Sequence, residues 1–115
     1  GDDLLVTNSK FIKDAKNLNL CNAVLIKPNQ VGTISESYEA VKEAKACNIS
    51  QIISARSGET EDTTIMHLAV AWEINQIKVG SFSRSERMIK WNEGIRIGKN
   101  LNNYNFDHNK IFPFL

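Results

Sequence analysis

The sequence predicts an α/β fold built from about three βα units with parallel strands. Short runs of aliphatic and β-branched residues recur along the chain, and segments with the helical period of about 3.6 residues separate them. The runs are continuous rather than alternating, which is typical of parallel strands that are covered on both faces. This pattern favours a doubly wound sheet or a β/α barrel. No glycine-rich phosphate fingerprint follows a strand, which argues against a dinucleotide-binding fold.

Local signals place the individual elements. Strands are predicted at Ala23–Lys27, Gln51–Ser54 and Gln76–Val79, after a very short first run at Leu4–Val6. Helices are expected to follow Thr7–Ser9, Thr33, Thr60 and Ser83. Thr33 and Ser83 are each followed three residues later by glutamate, the spacing of a capping box. Loops are expected at Pro28–Gly32 and Ala55–Glu59, and residues 100–115 are expected to form an irregular, asparagine-rich tail that packs onto a larger body.

Helical periodicity also predicts which side chains are buried. The first helix is expected to bury Phe11, Ile12, Ala15 and Leu18, and the second Ile34, Tyr38, Val41, Ala44 and Cys47. The third is expected to bury Ile65, Leu68, Ala69 and Trp72, and the fourth, at least in part, Met88, Ile89, Trp91 and Ile95.

Composition narrows the class of protein. The chain has 115 residues, 42% of them apolar and 23% charged, which is typical of a globular domain. A net charge of +1 is too small to attract nucleic acid or a membrane surface over long distances. No apolar run approaches the roughly 20 residues that span a bilayer. Cys21 and Cys47 have no metal-binding spacing and are expected to be buried free thiols. The absence of a signal-peptide pattern completes the expectation of a cytoplasmic protein.

Polar residues stand where successive strands end. Lys27, the Arg56–Ser57 pair and Lys78 each follow or finish a strand, and Asp2–Asp3 would do so if a further strand preceded them. The loops at the carboxyl ends of β/α strands converge over one face, so these residues are expected to share a pocket for a metal ion and an anionic substrate. Each also has a simpler interpretation. Strand-end lysines commonly point into solvent, and the arginine loop and the two aspartates could serve only as a helix cap and a solvated terminus.

At these residues the sequence resembles enolase (phosphopyruvate hydratase), specifically the C-terminal part of its β/α-barrel domain. Five segments carry the resemblance, in order: residues 1–8 (GDDLLVTN), 25–33 (LIKPNQVGT), 56–63 (RSGETEDT), 76–80 (QIKVG) and 84–87 (RSER). Five segments in sequence make a specific match, whereas the stretch from about Asn100 looks generic. The resemblance implies the C-terminal portion of an enolase-type (β/α)8 barrel, with residues 1–115 as a partial barrel domain.

The resemblance also implies an activity and a set of roles. The activity is the reversible dehydration of 2-phosphoglycerate to phosphoenolpyruvate in glycolysis, with Mg²⁺ as cofactor. Asp2 is then one of three carboxylate ligands of Mg²⁺, and Lys27 is the general base that removes the C2 proton. Arg56 and Ser57 contact the substrate phosphate, and Lys78 contacts its carboxylate. A lysine base working with Mg²⁺ is the general pattern of enolase-superfamily sites.

Two features qualify this expectation. The family commonly has histidine before the arginine of the third segment, near the leaving hydroxyl, where this chain has Ala55. The other metal carboxylates, the acid-side glutamates and most of the barrel are also expected to lie outside this chain. The isolated chain is therefore expected to be an inactive fragment of an enolase, and the exposed edges of a partial barrel are expected to favour homo-oligomers. The alternatives are a non-catalytic binding or structural module derived from enolase and an unrelated β/α phosphate-binding domain.

Overall fold

The continuous apolar runs form three parallel strands, and helices connect them. The computed structural model describes residues 1–101, and its elements follow the order α1 (Ser9–Asn17), β1 (Ala23–Ile26), α2 (Pro28–Val31), α3 (Ile34–Ala46), β2 (Ser50–Ser54), α4 (Thr64–Ala71), β3 (Gln76–Lys78) and α5 (Ser85–Leu101). The sheet order is β1-β2-β3, with both pairings parallel. Within the described residues the sheet is open. The prediction of an α/β fold with three βα units is confirmed.

The sheet register brings the carboxyl ends of the strands to one level. Ile26 pairs with Ile53, and the next residue of β2, Ser54, pairs with Lys78. Lys27 follows Ile26 directly, so the two lysines flank Ser54 at the same edge of the sheet. Gly1 extends this arrangement, because its amino group donates to the Ala23 carbonyl and its own carbonyl accepts the Leu25 N–H, in the pattern of a parallel strand pair. Asp2 therefore lies beside the end of β1.

The core lies between the sheet and the helices α1, α3 and α4. The strands contribute buried valine and isoleucine side chains, and the helices contribute mainly small residues that allow close packing against the sheet. The fully buried members are Leu5, Ile12, Ala15, Val24, Ile26, Ala40, Val41, Ala44, Ile49 and Ile53. Burial of these apolar groups is the main force that holds the strands, and hence their carboxyl ends, in register.

The predicted buried faces were correct at their centres and wrong at their edges. Ile12, Ala15, Val41, Ala44, Ala69 and Trp72 are buried, whereas Phe11, Leu18, Ile34, Tyr38 and Ile95 are exposed. A three-stranded sheet covers only the middle of each apolar stripe. In α5 the buried side chains are two cations, Arg87 and Lys90. Met88, Ile89 and Trp91 are partly buried, as expected, and Ile95 is exposed.

Several predicted boundaries also required correction. Residues 4–6 form a turn rather than a strand, because Val6 and Thr7 adopt positive φ angles of 43° and 57°. The expected loop at Pro28–Gly32 contains the short helix α2, for which the proline provides a favourable first residue. Helix α4 begins at Thr64 rather than near Thr60. Helix α5 includes residues 100 and 101, and the remainder of the predicted tail, 102–115, lies outside the described residues.

Thr33 caps α3 as predicted, because its hydroxyl accepts the Glu36 N–H at 3.2 Å. The Glu36 carboxylate accepts from the same hydroxyl at 2.6 Å rather than from the Thr33 N–H, so only half of the predicted capping box forms. The predicted capping box at Ser83 is wrong. The Ser83 hydroxyl bonds to the hydroxyl of Ser81. The N–H groups of Arg87 and Met88 donate to the carbonyl oxygen of Arg84, the residue directly before α5.

Two expectations from composition can be compared with the structure. Cys21 and Cys47 are free thiols, as predicted, although both are only partly buried. In the part of the chain that the structure describes, no helix has the length and hydropathy needed to cross a bilayer.

The start of α4 yields a prediction about pH-dependent stability. The pKa of Asp62 is lowered by hydrogen bonds from Thr64, whose side chain and backbone N–H both donate to the carboxylate, the latter at 2.8 Å. A lowered folded-state pKa means that the ionised carboxylate stabilises the fold above its ordinary pKa of 3.8, and that this contribution disappears as the pH falls through the lowered value. Asp62→Asn should cost about 0.5 kcal/mol at neutral pH, since the site is exposed.

Urea unfolding at neutral pH and at about pH 2.5, below the ordinary pKa range of aspartate, would measure this contribution. Glu61→Gln is the matched control, because Glu61 is the exposed carboxylate next in sequence. Equal losses for the two variants, or a loss for Asp62→Asn that persists at the lower pH, would contradict the account.

Candidate active site

An open cleft of about 570 Å³ lies at the carboxyl ends of β1, β2 and β3. This volume is within the range of small-molecule sites. The cleft is lined by the strand ends, by the loops that follow β2 and β3, and by the first turn of α5. The lining residues are Lys27, Ala55, Arg56, Ser57, Lys78, Val79, Gly80, Ser81, Arg84 and Arg87.

The charge of the cleft is one-sided. Among these lining residues five are cationic and none is acidic, although the whole chain carries a net charge of only +1. Arg56 and Lys78 have no ion-pair partner within residues 1–101, whereas Arg84 pairs with Glu86 at 3.0 Å. Cations concentrated in a concave site favour an anionic ligand, and guanidinium groups in particular suit phosphate and carboxylate.

Lys27 follows β1 directly and lines the cleft, and hydrogen bonds fix both its backbone and the tip of its side chain. Its backbone N–H donates to the hydroxyl of Thr7 at 2.9 Å, and Thr7 is itself fully buried with a positive φ angle. Positive φ is costly for a β-branched residue and is often found near functional sites. The Lys27 side chain is 12% exposed, and its Nζ donates to both carboxylate oxygens of Asp2 at 2.6 and 2.7 Å.

The loop that follows β2 presents Arg56 and Ser57 at the surface of the cleft. The N–H of Ala55 donates to the carbonyl of Lys78 at 2.9 Å, which continues the β2–β3 pairing into the loop. The next N–H, that of Arg56, donates to the Glu59 carboxylate at 2.7 Å and closes a tight turn. Both the arginine and the serine side chains are exposed, so a ligand in the cleft can reach them.

The structure gives little support to Asp2 as a metal ligand. Both of its oxygens accept hydrogen bonds from Lys27, and residues 1–101 contain no group of three or more His, Cys, Asp or Glu side chains that could hold a metal ion. Mg²⁺ requires about six oxygen ligands in octahedral geometry. The described residues therefore do not form a Mg²⁺ site by themselves, and Asp2 is at most one ligand of a site completed by other groups.

The structure thus brings together four of the five residues chosen from the sequence, Lys27, Arg56, Ser57 and Lys78, around one cleft. The fifth, Asp2, is joined to the cleft through Lys27. Arg84 and Arg87 also line the cleft, although neither was predicted to be a site residue. The available signal was their spacing, because basic residues at 84, 87 and 90 recur every three positions and share a helical face.

Taken together, these features define a segment of a β/α domain with a cationic cleft at the carboxyl edge of its sheet. The family described as "Enolase, C-terminal TIM barrel domain" matches residues 1–111 of the chain. The chain therefore belongs to the enolase C-terminal TIM barrel domain family.

Individual relatives agree with this membership. The chain is 58% identical to an enolase of Ehrlichia canis (strain Jake) over 101 residues, and 57% identical to an enolase of Anaplasma phagocytophilum (strain HZ) over 101 residues. Each match covers 88% of this chain and 24% of the relative. The chain thus spans about a quarter of the length of the relatives it matches.

Proposed function

We propose that this chain supplies the C-terminal part of the active site of an enolase, a lyase that reversibly dehydrates 2-phosphoglycerate to phosphoenolpyruvate. The observation that carries the proposal is the cleft, which brings Lys27, Arg56, Ser57 and Lys78 together and whose described lining contains five cationic residues and no acidic one. 2-Phosphoglycerate carries a phosphate and a carboxylate, so it has two anionic groups for this surface to hold. Membership of the enolase family supports the same assignment.

The proposed roles follow from the chemistry of the groups. Arg56 offers a planar fork of donors that suits the phosphate, with the Ser57 hydroxyl beside it. Lys78 lies at the same edge of the sheet as Lys27, and it binds the substrate carboxylate. Lys27, as a neutral amine, accepts the proton from C2, and the electron pair of that C–H bond forms the C2=C3 double bond as hydroxide leaves C3. The cations of the cleft stabilise the negative charge that develops on the carboxylate.

The ion pair between Lys27 and Asp2 has a consequence for this mechanism. While Nζ donates to both oxygens of Asp2, it is not free to accept a proton. In the proposed enzyme Asp2 must therefore turn its carboxylate to another partner, and the family resemblance assigns that role to Mg²⁺. Because residues 1–101 lack the remaining ligands, we expect the isolated chain to be inactive.

The test is to complete the enzyme around this chain. In the hybrid enzyme, this chain replaces the segment that it matches in the Ehrlichia canis enolase. We expect Mg²⁺-dependent conversion of 2-phosphoglycerate, followed by NMR of substrate and product, and loss of conversion on chelation. A hybrid with a normal thermal melt that binds 2-phosphoglycerate but does not convert it would support the alternative, a non-catalytic module derived from enolase.

Ala55 is the specific reason to keep that alternative, and it provides a prediction. Ala55 lines the cleft where the family commonly has a histidine near the leaving hydroxyl. Ala55→His in the hybrid enzyme should raise kcat roughly tenfold or more, because a positioned acid–base group typically contributes 10²–10⁴-fold. Ala55→Phe, which adds a ring without a titratable group, is the control. Equal kcat for the alanine and histidine forms would mean that other residues serve the leaving group.

Two further predictions concern the cellular location of the complete enzyme and the self-association of the isolated chain. We expect the complete enzyme to work in the cytoplasm on a small-molecule substrate. We also expect self-association of the isolated chain, since β1 and β3 form the edges of the described sheet. Light scattering across a concentration series tests the second expectation.

A further inference from the structure

Two buried cationic side chains of α5, Arg87 and Lys90, contact the loop that contains Arg56 and Ser57. Arg87 is 8% exposed and Lys90 is 1% exposed, and the spacing of three residues places both on one face of the helix. Arginine and lysine are almost never fully buried unless polar partners satisfy them. The partners of these two side chains therefore indicate what they do.

Arg87 joins the loop after β2 to the end of β3. Its Nη1 donates to the carbonyl oxygens of Arg56 at 2.8 Å and Val79 at 3.1 Å, and its Nη2 donates to the carbonyl of Ser57 at 2.8 Å. A guanidinium group can make these bonds together because its donors lie in a rigid plane, which an ammonium group lacks. The backbone of both proposed phosphate-binding residues is thus fixed by one side chain.

The charge of Arg87 is met mainly by these carbonyl oxygens. The ion pair recorded for it in the described residues is a long one, 3.9 Å from Nε to the Glu86 carboxylate. Gly80 packs against this side chain, and a Cβ there would lie 3.4 Å from Cδ and 3.5 Å from Nε of Arg87, an ordinary van der Waals contact. Glycine is favoured at this position by its φ angle of +106°, which other residues rarely adopt.

Lys90 holds the other end of the same loop. Its Nζ donates to the Thr60 carbonyl at 2.7 Å and pairs with the Glu59 carboxylate at 3.1 Å. The second oxygen of that carboxylate accepts the Arg56 N–H. Both groups of the Arg56 backbone are therefore tied to α5, the carbonyl directly through Arg87 and the N–H through Glu59 and Lys90.

We propose that Arg87 is a positioning residue, which holds the loop at residues 55–60 in the conformation that aims Arg56 and Ser57 at an anion, and that Lys90 supports it through Glu59. The inference rests on the proposed function for the identity of that anion as the substrate phosphate. The ordering of the loop by Arg87 stands on the contacts alone.

The experiment compares Arg87→Met and Arg87→Lys with Arg96→Met in the full 115-residue chain. Arg96 is the matched control, because it is an arginine of the same helix whose exposed side chain pairs with Glu93 outside the cleft. Hydrogen exchange by mass spectrometry reports on residues 55–60, and calorimetry measures the affinity for inorganic phosphate. We expect faster exchange confined to the loop and roughly 10²-fold weaker phosphate binding in Arg87→Met, an intermediate result in Arg87→Lys, and no change in Arg96→Met.

The same variants in the hybrid enzyme separate positioning from general stability. A positioning role predicts a rise in KM with a smaller change in kcat. It also predicts that added guanidinium ion partly restores a further variant, Arg87→Ala, whose shorter side chain leaves room for the ion. Loop exchange and phosphate affinity that match those of Arg96→Met would overturn the proposal, as would an increase in exchange that spreads equally over β1, β2 and β3. If Arg87→Met loosens the loop but the unmodified hybrid shows no turnover, the proposed function fails and the positioning role stands.

Discussion

Replacing Lys27 by alanine in the hybrid enzyme should lower kcat by about 10²–10⁴-fold, the range typical of a lost general base. The side chain is 12% exposed, stands at the end of β1 and is positioned through the Thr7 contact to its backbone. Lys78 is the other amine among the described lining residues of the cleft, and it is assigned to the substrate carboxylate. KM should change less than kcat, because the phosphate and carboxylate contacts are assigned to other residues.

Lys42→Ala is the control for this variant. Lys42 is an exposed lysine of α3 that pairs with Glu39 and does not line the cleft. A thermal melt must accompany both measurements, because Lys27→Ala also removes the partner of Asp2. A folded Lys27→Ala variant that keeps kcat within roughly threefold of the unmodified hybrid, well below the effect of a lost base, would remove Lys27 from the mechanism.

The second large effect is expected at Arg56. Arg56→Ala should raise KM for 2-phosphoglycerate by about 10²-fold, since two charge-assisted hydrogen bonds to phosphate are lost. Arg56→Lys should recover only part of this loss, because a lysine keeps the charge but not the planar fork. Steady-state kinetics at two salt concentrations separates the specific contact from the general field of the cleft.

Arg84→Ala removes the same charge from the same cleft and serves as the comparison. The Arg84 side chain is 68% exposed and already pairs with Glu86, so its loss should change KM by roughly threefold at most. If Arg56→Ala and Arg84→Ala have equal effects, the cleft attracts anions only through its overall charge, and Arg56 has no specific role.

Much of the scaffold was predictable because its signals are local. Continuous apolar runs fixed the strands, and the repeat of the βα unit implied that Lys27 and Lys78 would reach the same edge of a parallel sheet. The turn at residues 3–7 was not predictable in the same way. Its valine and threonine favour strands on average, and only tertiary contacts, such as the bond from the Lys27 N–H to Thr7, hold them at positive φ.

The supporting part of the site was missed for a related reason. In a sequence, a buried arginine on an amphipathic helix resembles an exposed one, because its burial depends on carbonyl groups that the fold brings together. Arg87 meets carbonyls from positions 56, 57 and 79, far from it in sequence. The residues proposed to carry the chemistry were predicted from their positions at strand ends and from the family resemblance, whereas the proposed positioning role of Arg87 required the three-dimensional arrangement.

The measurement that tests the central claim most directly is the exchange of the C2 proton of 2-phosphoglycerate with solvent deuterium. It reports on proton removal alone and therefore does not depend on how Ala55 affects departure of the hydroxyl. We predict that the hybrid enzyme incorporates deuterium at C2 in D₂O with Mg²⁺ present, and that Lys27→Ala abolishes the exchange while Lys42→Ala does not. A well-folded hybrid that binds 2-phosphoglycerate without exchanging this proton would contradict the assignment of Lys27 and its cleft to enolase chemistry.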